Sequence, residues 1–389
     1  MTLQPSIPAG FMPRLAALYV AIFVLGGIQM PFFPLWLKAN GLDAQAIGLL
    51  LSIPMLVRVI VVPLVTRQAD LRDGLRPLLV VCACTSVMGY ASLGIAQGPV
   101  SILAFFAVAS AAYTPVMPLT DAYALRGLPP LGRAYGTVRL WGSGAFIVGG
   151  FLAGYAADLL PARDLIWLIT AGYAGVALAA LALAPLSPLR EAGHENGKRK
   201  GLLRDPVYLV VLAAASLIQA SHAVFYSFSV VAWSAKGLDG VAIAALWALG
   251  VVAEIALFAV SGRLPSWITP IRLLLIGATG ATLRWAGMAL DPPAAVLPWL
   301  QLLHALSFAA THLGTLGFIA RHTPPAQGAT AQGYLAIAVG LAMAVATGIS
   351  GLLFAAFGSG AYAAMALSAI AGGACALIAK RLSRREAMA

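Results

Sequence analysis

Residues 40–50 read NGLDAQAIGLL, and residues 236–246 read KGLDGVAIAAL. Both carry a Gly-Leu-Asp core followed by the same apolar spacing, at an offset of 196 positions. Carried outward, that register aligns Arg67 with Arg263, Arg76 with Arg272 and Gly144 with Gly340. Two apolar segments always look alike in composition. Polar and glycine positions that coincide in three separate segments at one offset indicate a duplicated chain.

The material being duplicated is membrane helix. Of 389 residues, 61% are hydrophobic and only 10% charged, whereas soluble domains are about half apolar and about a quarter charged. A spanning helix needs about 20 mostly apolar residues. Twelve such segments are expected, near 13–37, 44–66, 77–97, 100–125, 134–157 and 164–186, then 206–235, 241–262, 272–290, 295–320, 329–357 and 361–380. Between the sixth and the seventh lies one long polar gap, SPLREAGHENGKRKGLLRD, at 187–205. The expected architecture is an all-α membrane protein of two six-helix bundles, residues 1–186 and 206–389, joined by that linker. Parallel duplicated halves are the organisation of major facilitator transporters, whose substrates lie between the halves near mid-membrane.

Basic residues set the orientation. Of the 24 Lys and Arg residues, Lys38, Arg163 and Lys236 fall on one side and Arg58, Arg139 and Arg284 within spans; the other eighteen share the side of both termini. The positive-inside rule makes that side cytoplasmic. The same distribution accounts for the formal charge of +11 without a nucleic-acid partner. Cys82, Cys84 and Cys375 lie in apolar runs with no disulfide or metal spacing. The opening MTLQPSIPAG has no basic n-region or cleavage site, so the first span is expected to be retained.

Ionisable residues inside a bilayer usually face a cavity or pair with each other. Asp121 lies five residues before Arg126, and Arg139 six after Arg133. Both then sit roughly 8–9 Å inside the cytoplasmic boundary on adjacent antiparallel spans. They form either a packing ion pair or a substrate site in which the Arg139 fork holds an anionic or hydroxylated ligand. Glu254, Arg284 and His312 come out near mid-depth, and His304 precedes His312 by eight residues, about 80° away around a helix. Histidine titrates near neutrality, so this group is a candidate for loading and releasing a proton; histidines satisfied by Ser307 or Thr311 are the plain alternative. His222 reads as a core residue. Arg58 can pair with Asp121 or Glu254, or reach toward the cytoplasm. At the duplication register Arg58 matches Glu254 and Arg139 matches Leu335, so the charges are not duplicated. Phe32, Phe33, Trp141, Phe225 and Tyr226 can line a pocket or pack the core.

Several stretches carry a family likeness: GGIQMPFFPLWLKANGLDAQAIGLLLSIPMLVRVIVVPL (26–64), TDAYAL (120–125), YGTVRLWGS (135–143), LLHALSFAATHLGTLGFIARH (302–322) and AQGY (331–334). They resemble the 3-phenylpropionate permease family, a branch of the major facilitator superfamily related to the lactose permease and nucleoside symporters. The resemblance implies a proton-coupled importer of an aromatic acid in a bacterial inner membrane, working as a single unit. The lactose permease binds sugar through a span 4 glutamate and a span 5 arginine within FG-x-x-R-x-x-G. YGTVRLWG supplies Arg139, and Asp121 stands the same eighteen residues upstream, Asp in place of Glu. Its coupling cluster of span 8 glutamate, span 9 arginine and span 10 histidine is matched by Glu254, Arg284 and His304 or His312. The superfamily's loop 2–3 motif is degraded: Asp70 remains, Thr66 replaces glycine, and Arg72 and Gly74 come one position late.

Other functions find little support. No H-E-x-x-H or G-x-S-x-G occurs, and Asp121 and Glu254, the acids within spans, belong to different halves. GHENGKRK has three residues between its glycines and no preceding strand, so it is no phosphate loop. No enzyme activity, cofactor or metal is expected. A proton-driven exporter is the main rival, but GSGAFIVGGFLAG (142–154) lacks the Gly-Pro pair of drug antiporters. A sugar or nucleoside remains an alternative cargo.

Overall fold

The computed structural model describes residues 10–71, 74–128, 131, 135–186, 201–324 and 327–386. Among them every regular element is helical. The first half holds α1 (Phe11–Ala39), α2 (Ala44–Leu71), α3 (Leu75–Gly94), α4 (Pro99–Tyr113), α5 (Val116–Gly127), α6 (Tyr135–Leu159) and α7 (Leu165–Leu181). The second holds α8 (Pro206–Ala220), α9 (Ala223–Ala235), α10 (Gly240–Val260), α11 (Pro270–Ala289), α12 (Leu297–Leu302), α13 (Thr311–His322), α14 (Gly328–Phe357) and α15 (Tyr362–Glu386). Nine stretches of the described residues are long and apolar enough to cross a membrane, one of them, Thr330–Ser383, containing most of both α14 and α15.

The two corners whose sequences match also share their backbone hydrogen bonds. Gly41 and Gly237 both have φ +83°. Leu42 N–H donates to the Leu37 carbonyl and Gly41 N–H to that of Lys38; Leu238 N–H donates to Trp233 and Gly237 N–H to Ser234. These are the paired 6→1 and 5→2 bonds of a Schellman ending, which needs a left-handed residue that glycine supplies without a Cβ penalty. Each aspartate then starts the next helix. Asp43 Oδ1 accepts from Ala46 N–H at 2.8 Å, and Asp239 Oδ1 from Ala242 N–H at 2.6 Å.

Three expected spans are each built from two helices. Pro115, which has no N–H to donate, separates α4 from α5. Pro31 and Pro34 leave α1 continuous. The break between α8 and α9 falls at Ser221–His222, where Ser221 Oγ donates to the Ile218 carbonyl at 2.6 Å. In the tenth span, α12 and α13 flank a π-helical stretch, Ala305–Ala310.

The chain forms two compact units, Met1–Gly193 with Trp233–Ala245, and His194–Ala232 with Leu246–Ala389. In the first, α1 packs against α6 and α7. A Cβ on Gly27 would lie 2.0 Å from the Phe146 carbonyl oxygen, and one on Gly149 would lie 2.1 Å from that of Val24. Gly144 meets open space instead. The Trp233–Ala245 segment joins this unit partly through Asp158, whose Oδ1 and Oδ2 accept from Gly240 and Val241 N–H at the start of α10. In the second unit, α8, α11, α13 and α15 enclose a core that includes Val207, Tyr208, Leu274, Phe318 and Ala376.

Candidate functional site

In the second unit the polar groups converge on Arg284. It enters from the C-terminal half of α11 and is only 1% exposed. Two aromatic faces hold the guanidinium, with its carbon 4.6 Å from the Phe225 ring centre and 4.5 Å from that of Trp285. Cation–π contacts of this kind contribute about 0.5–2 kcal/mol each, which offsets part of the cost of burying the charge. Its donors reach one face of the tenth span: Nη2 to Gln301 Oε1 at 2.6 Å, and Nη1 to His304 Nδ1 at 2.9 Å and Ser307 Oγ at 3.3 Å. Arg284 Nε and Gln301 Nε2 are buried without a hydrogen-bond partner.

This geometry determines both histidine tautomers. A guanidinium has donors and no acceptor, so His304 Nδ1 must present its lone pair. The ring proton therefore sits on Nε2, which faces Glu254 Oε2 at 3.4 Å, somewhat beyond ordinary hydrogen-bond length. A second proton on His304 would break its bond to Arg284. His222 is oriented the other way. Its Nδ1 lies 3.1 Å from the Gln219 carbonyl, an acceptor, and its Nε2 lies 3.1 Å from Ser307 Oγ. A neutral His222 thus donates through Nδ1 and accepts the Ser307 hydroxyl at Nε2. Ser307 passes the polarity of Arg284 to a histidine that the guanidinium does not touch.

Glu254 is linked to Arg284 through His304, and among the described residues the two make no direct ion pair. His312 is exposed and reaches this network through stacked rings: His304 and Phe308 centroids are 5.2 Å apart at 17°, and Phe308 and His312 are 6.1 Å apart at 4°. An undisturbed helix would offset the histidines by about 80°. The π stretch sets back the phase by roughly 100°, which brings positions 304, 308 and 312 into a column. Tyr226, expected to line a pocket, stacks on His222 at 5.6 Å and lies 5.9 Å from Trp247.

In the first unit, Tyr19 Oη donates to Asp121 Oδ1 at 2.7 Å. The backbone of α6 carries Arg139 and the side chain itself lies outside the described residues, as do those of Asp70 and Arg72. Trp141 is 67% exposed and Phe32 is 1% exposed. Arg58 is exposed on α2; among the described residues it pairs with neither Asp121 nor Glu254.

Gln301, Ser307 and His222 complete the second-unit network; the sequence offers Ser307 as a hydroxyl partner for a histidine and His222 as a core residue, while little in it singles out Gln301. The available signal is spacing. Positions 301, 304 and 307 recur every third residue and share a helix face.

The family model described as "MFS_1 like family" matches residues 12–364. The chain belongs to this family. One MFS relative, described as "Probable 3-phenylpropionic acid transporter" of Escherichia coli (strain K12), is 32% identical over 92% of the chain and 94% of its own length. The maltose permease of Geobacillus stearothermophilus is 27% identical over 71% of the chain and 70% of its own length. Among solved structures, a point mutant of the nucleoside transporter NupG superposes with a TM-score of 0.82 at 17% identity, covering 96% of the chain and 99% of that structure. A bacterial homologue of the human lysosomal transporter Spinster, inward-facing and occupied, gives a TM-score of 0.71 at 16% identity, covering 95% and 96%. The protein is a multi-pass secondary transporter of the MFS type, and its relatives are transporters, not enzymes.

Proposed function

We propose that this MFS protein imports a small aromatic carboxylate, of the 3-phenylpropionate class, together with a proton. In this reading the chain crosses a bacterial inner membrane twelve times with both termini cytoplasmic, as two six-helix halves (1–186 and 206–389) around the 187–205 linker. The observation that carries the coupling is the Arg284–His304–Glu254 chain. His304 is held as a neutral donor, so the carboxylate of Glu254 is the group left to take the travelling proton. Protonating it removes the negative charge facing His304 Nε2–H and loosens the contact that fixes the ring. Rearrangement of that chain then accompanies alternating access. His312, exposed at the far end of the ring column, is proposed as a second proton-coupling group that exchanges protons with water, since the Phe308 ring between it and His304 carries none.

Substrate recognition is assigned to Arg139, which receives the carboxylate, with Asp121 competing for it and Trp141, exposed on the same helix, meeting the aromatic ring. The 32% identical relative supports the cargo class. A sugar or nucleoside is the second reading, favoured by the maltose permease relative and the NupG-like fold. Proteoliposomes with an imposed pH gradient, offered labelled 3-phenylpropionate, maltose or a nucleoside, separate these. Uptake of the acid that is lost in Arg139→Ala is expected. Uptake of another class alone would replace the cargo assignment, and normal acid uptake by Arg139→Ala would end the arginine's role.

A further inference from the structure

At the end of the second unit where α11 begins and α13 and α15 finish, a cavity of about 460 Å³ is lined by Arg272, Arg321 and Lys380, with Ser383, His322 and Trp267. The helix ends are drawn together by Gly314, where a Cβ would lie 2.7 Å from the Pro270 carbonyl oxygen. Its charge is almost wholly positive. The nearby carboxylate, Asp205, is already engaged: Oδ2 meets His322 Nε2 at 2.6 Å, and Oδ1 accepts Val207 and Tyr208 N–H at the start of α8. Among the described residues, Arg272, Arg321 and Lys380 have no acidic partner. Arg272 donates to the Trp267 carbonyl and lies over its ring, 5.8 Å from the centre. Trp267 is 61% exposed, as aromatic side chains are at a membrane–water boundary.

Three cations in one recess, with no acidic partner among the described residues, repel each other and favour an anion between them. We propose that this cavity binds a phosphate-bearing anion, either the phosphodiester headgroup of an acidic phospholipid or free phosphate. Two guanidinium forks suit phosphate oxygens, Lys380 adds a point charge, and Ser383 Oγ is a polar neighbour on the same wall. Basic pockets between membrane helices at the interface take acidic headgroups in this way. The site lies at a helix-end surface and uses none of the residues assigned to substrate or proton.

Native mass spectrometry of the purified full-length protein tests this, with phosphatidylglycerol, phosphatidylcholine and inorganic phosphate added separately. Wild type is expected to prefer phosphatidylglycerol over phosphatidylcholine, and the preference should fall about fivefold per basic residue lost in Lys380→Gln and further in Arg321→Gln/Lys380→Gln. Inorganic phosphate binding that falls in the same variants, with no lipid preference, would assign the site to the free anion. The single variant keeps the test readable if the double variant misfolds. Equal phosphatidylglycerol preference in wild type and Lys380→Gln, without phosphate binding by wild type, overturns the proposal.

Discussion

The two compact units of the chain differ in what they bury. In the first unit the well-connected polar group is neutral: Gln29 Nε2 donates to Tyr90 Oη at 2.6 Å, Tyr173 Oη donates to Gln29 Oε1 at 2.6 Å, and the Tyr90 and Tyr173 rings stack 3.9 Å apart. In the second unit the well-connected group is charged, built from Arg284, His304 and Glu254. The corner bonds around Gly41 and Gly237 match closely, so these two corners share a backbone geometry while the polar networks of the two units differ in chemistry. A neutral network can fix helices without responding to pH. A network with a carboxylate at its end can do both.

The largest expected effect tests that division. Glu254→Gln should bring gradient-driven accumulation down to the level seen without a gradient, while substrate exchange across the membrane continues; loss of both would mean the residue is structural. Arg284→Lys comes next. A single ammonium cannot reproduce the fork to Gln301 and His304, and the lost charged hydrogen bonds should cost about 1.5–3 kcal/mol, read as a lower denaturation midpoint in detergent. An unchanged midpoint would show that the aromatic faces, and not the fork, hold the arginine.

Gly41→Ala and Gly237→Ala sharpen the comparison from the scaffold side. Each forces a Cβ into the left-handed region at about 1–2 kcal/mol, and the two losses should agree, because φ is +83° at both. Clearly unequal losses would break the structural equivalence of the corners. Tyr90→Phe removes one neutral hydrogen bond, about 1 kcal/mol, and should leave the proton-to-substrate ratio unchanged; an altered ratio would bring the first-half network into coupling.

The smallest effect concerns Asp205. Burial alone pushes its carboxyl up from 3.8, but the Tyr208 N–H, His322 and the Val207 N–H outweigh it and hold the group below that value. A lowered folded-state pKa contributes stability that is present above the unfolded value and is lost as pH falls through the folded one. Wild type should therefore lose more stability than Asp205→Asn as the pH drops below 3.8; parallel curves would remove Asp205 from the acid response.

Much of this was legible in the sequence because spanning helices declare themselves by length and apolarity, and because glycine and aspartate at matched positions allow few alternatives. Glu254, Arg284 and His304 could be chosen because a charge in a span needs a reason. Their bonds could not be read. Which nitrogen of His304 meets Arg284 depends on helix rotation, and the π stretch at Ala305–Ala310 alters that rotation with no proline or glycine inside it to announce it. Gln301 was harder still, since neutral polar residues in a span are common and usually satisfied by their own backbone; Ser307 could be named as a histidine's hydroxyl partner, but not as the bridge between Arg284 and His222.

The most direct test of the central claim is proton flux itself. Wild type and Glu254→Gln are reconstituted into vesicles containing a pH-sensitive dye, 3-phenylpropionate is added outside with no gradient imposed, and internal pH is followed. Substrate-driven acidification by wild type, absent from Glu254→Gln although labelled substrate still equilibrates, is the predicted result. Equal acidification by both proteins would contradict it and place the travelling proton on another group.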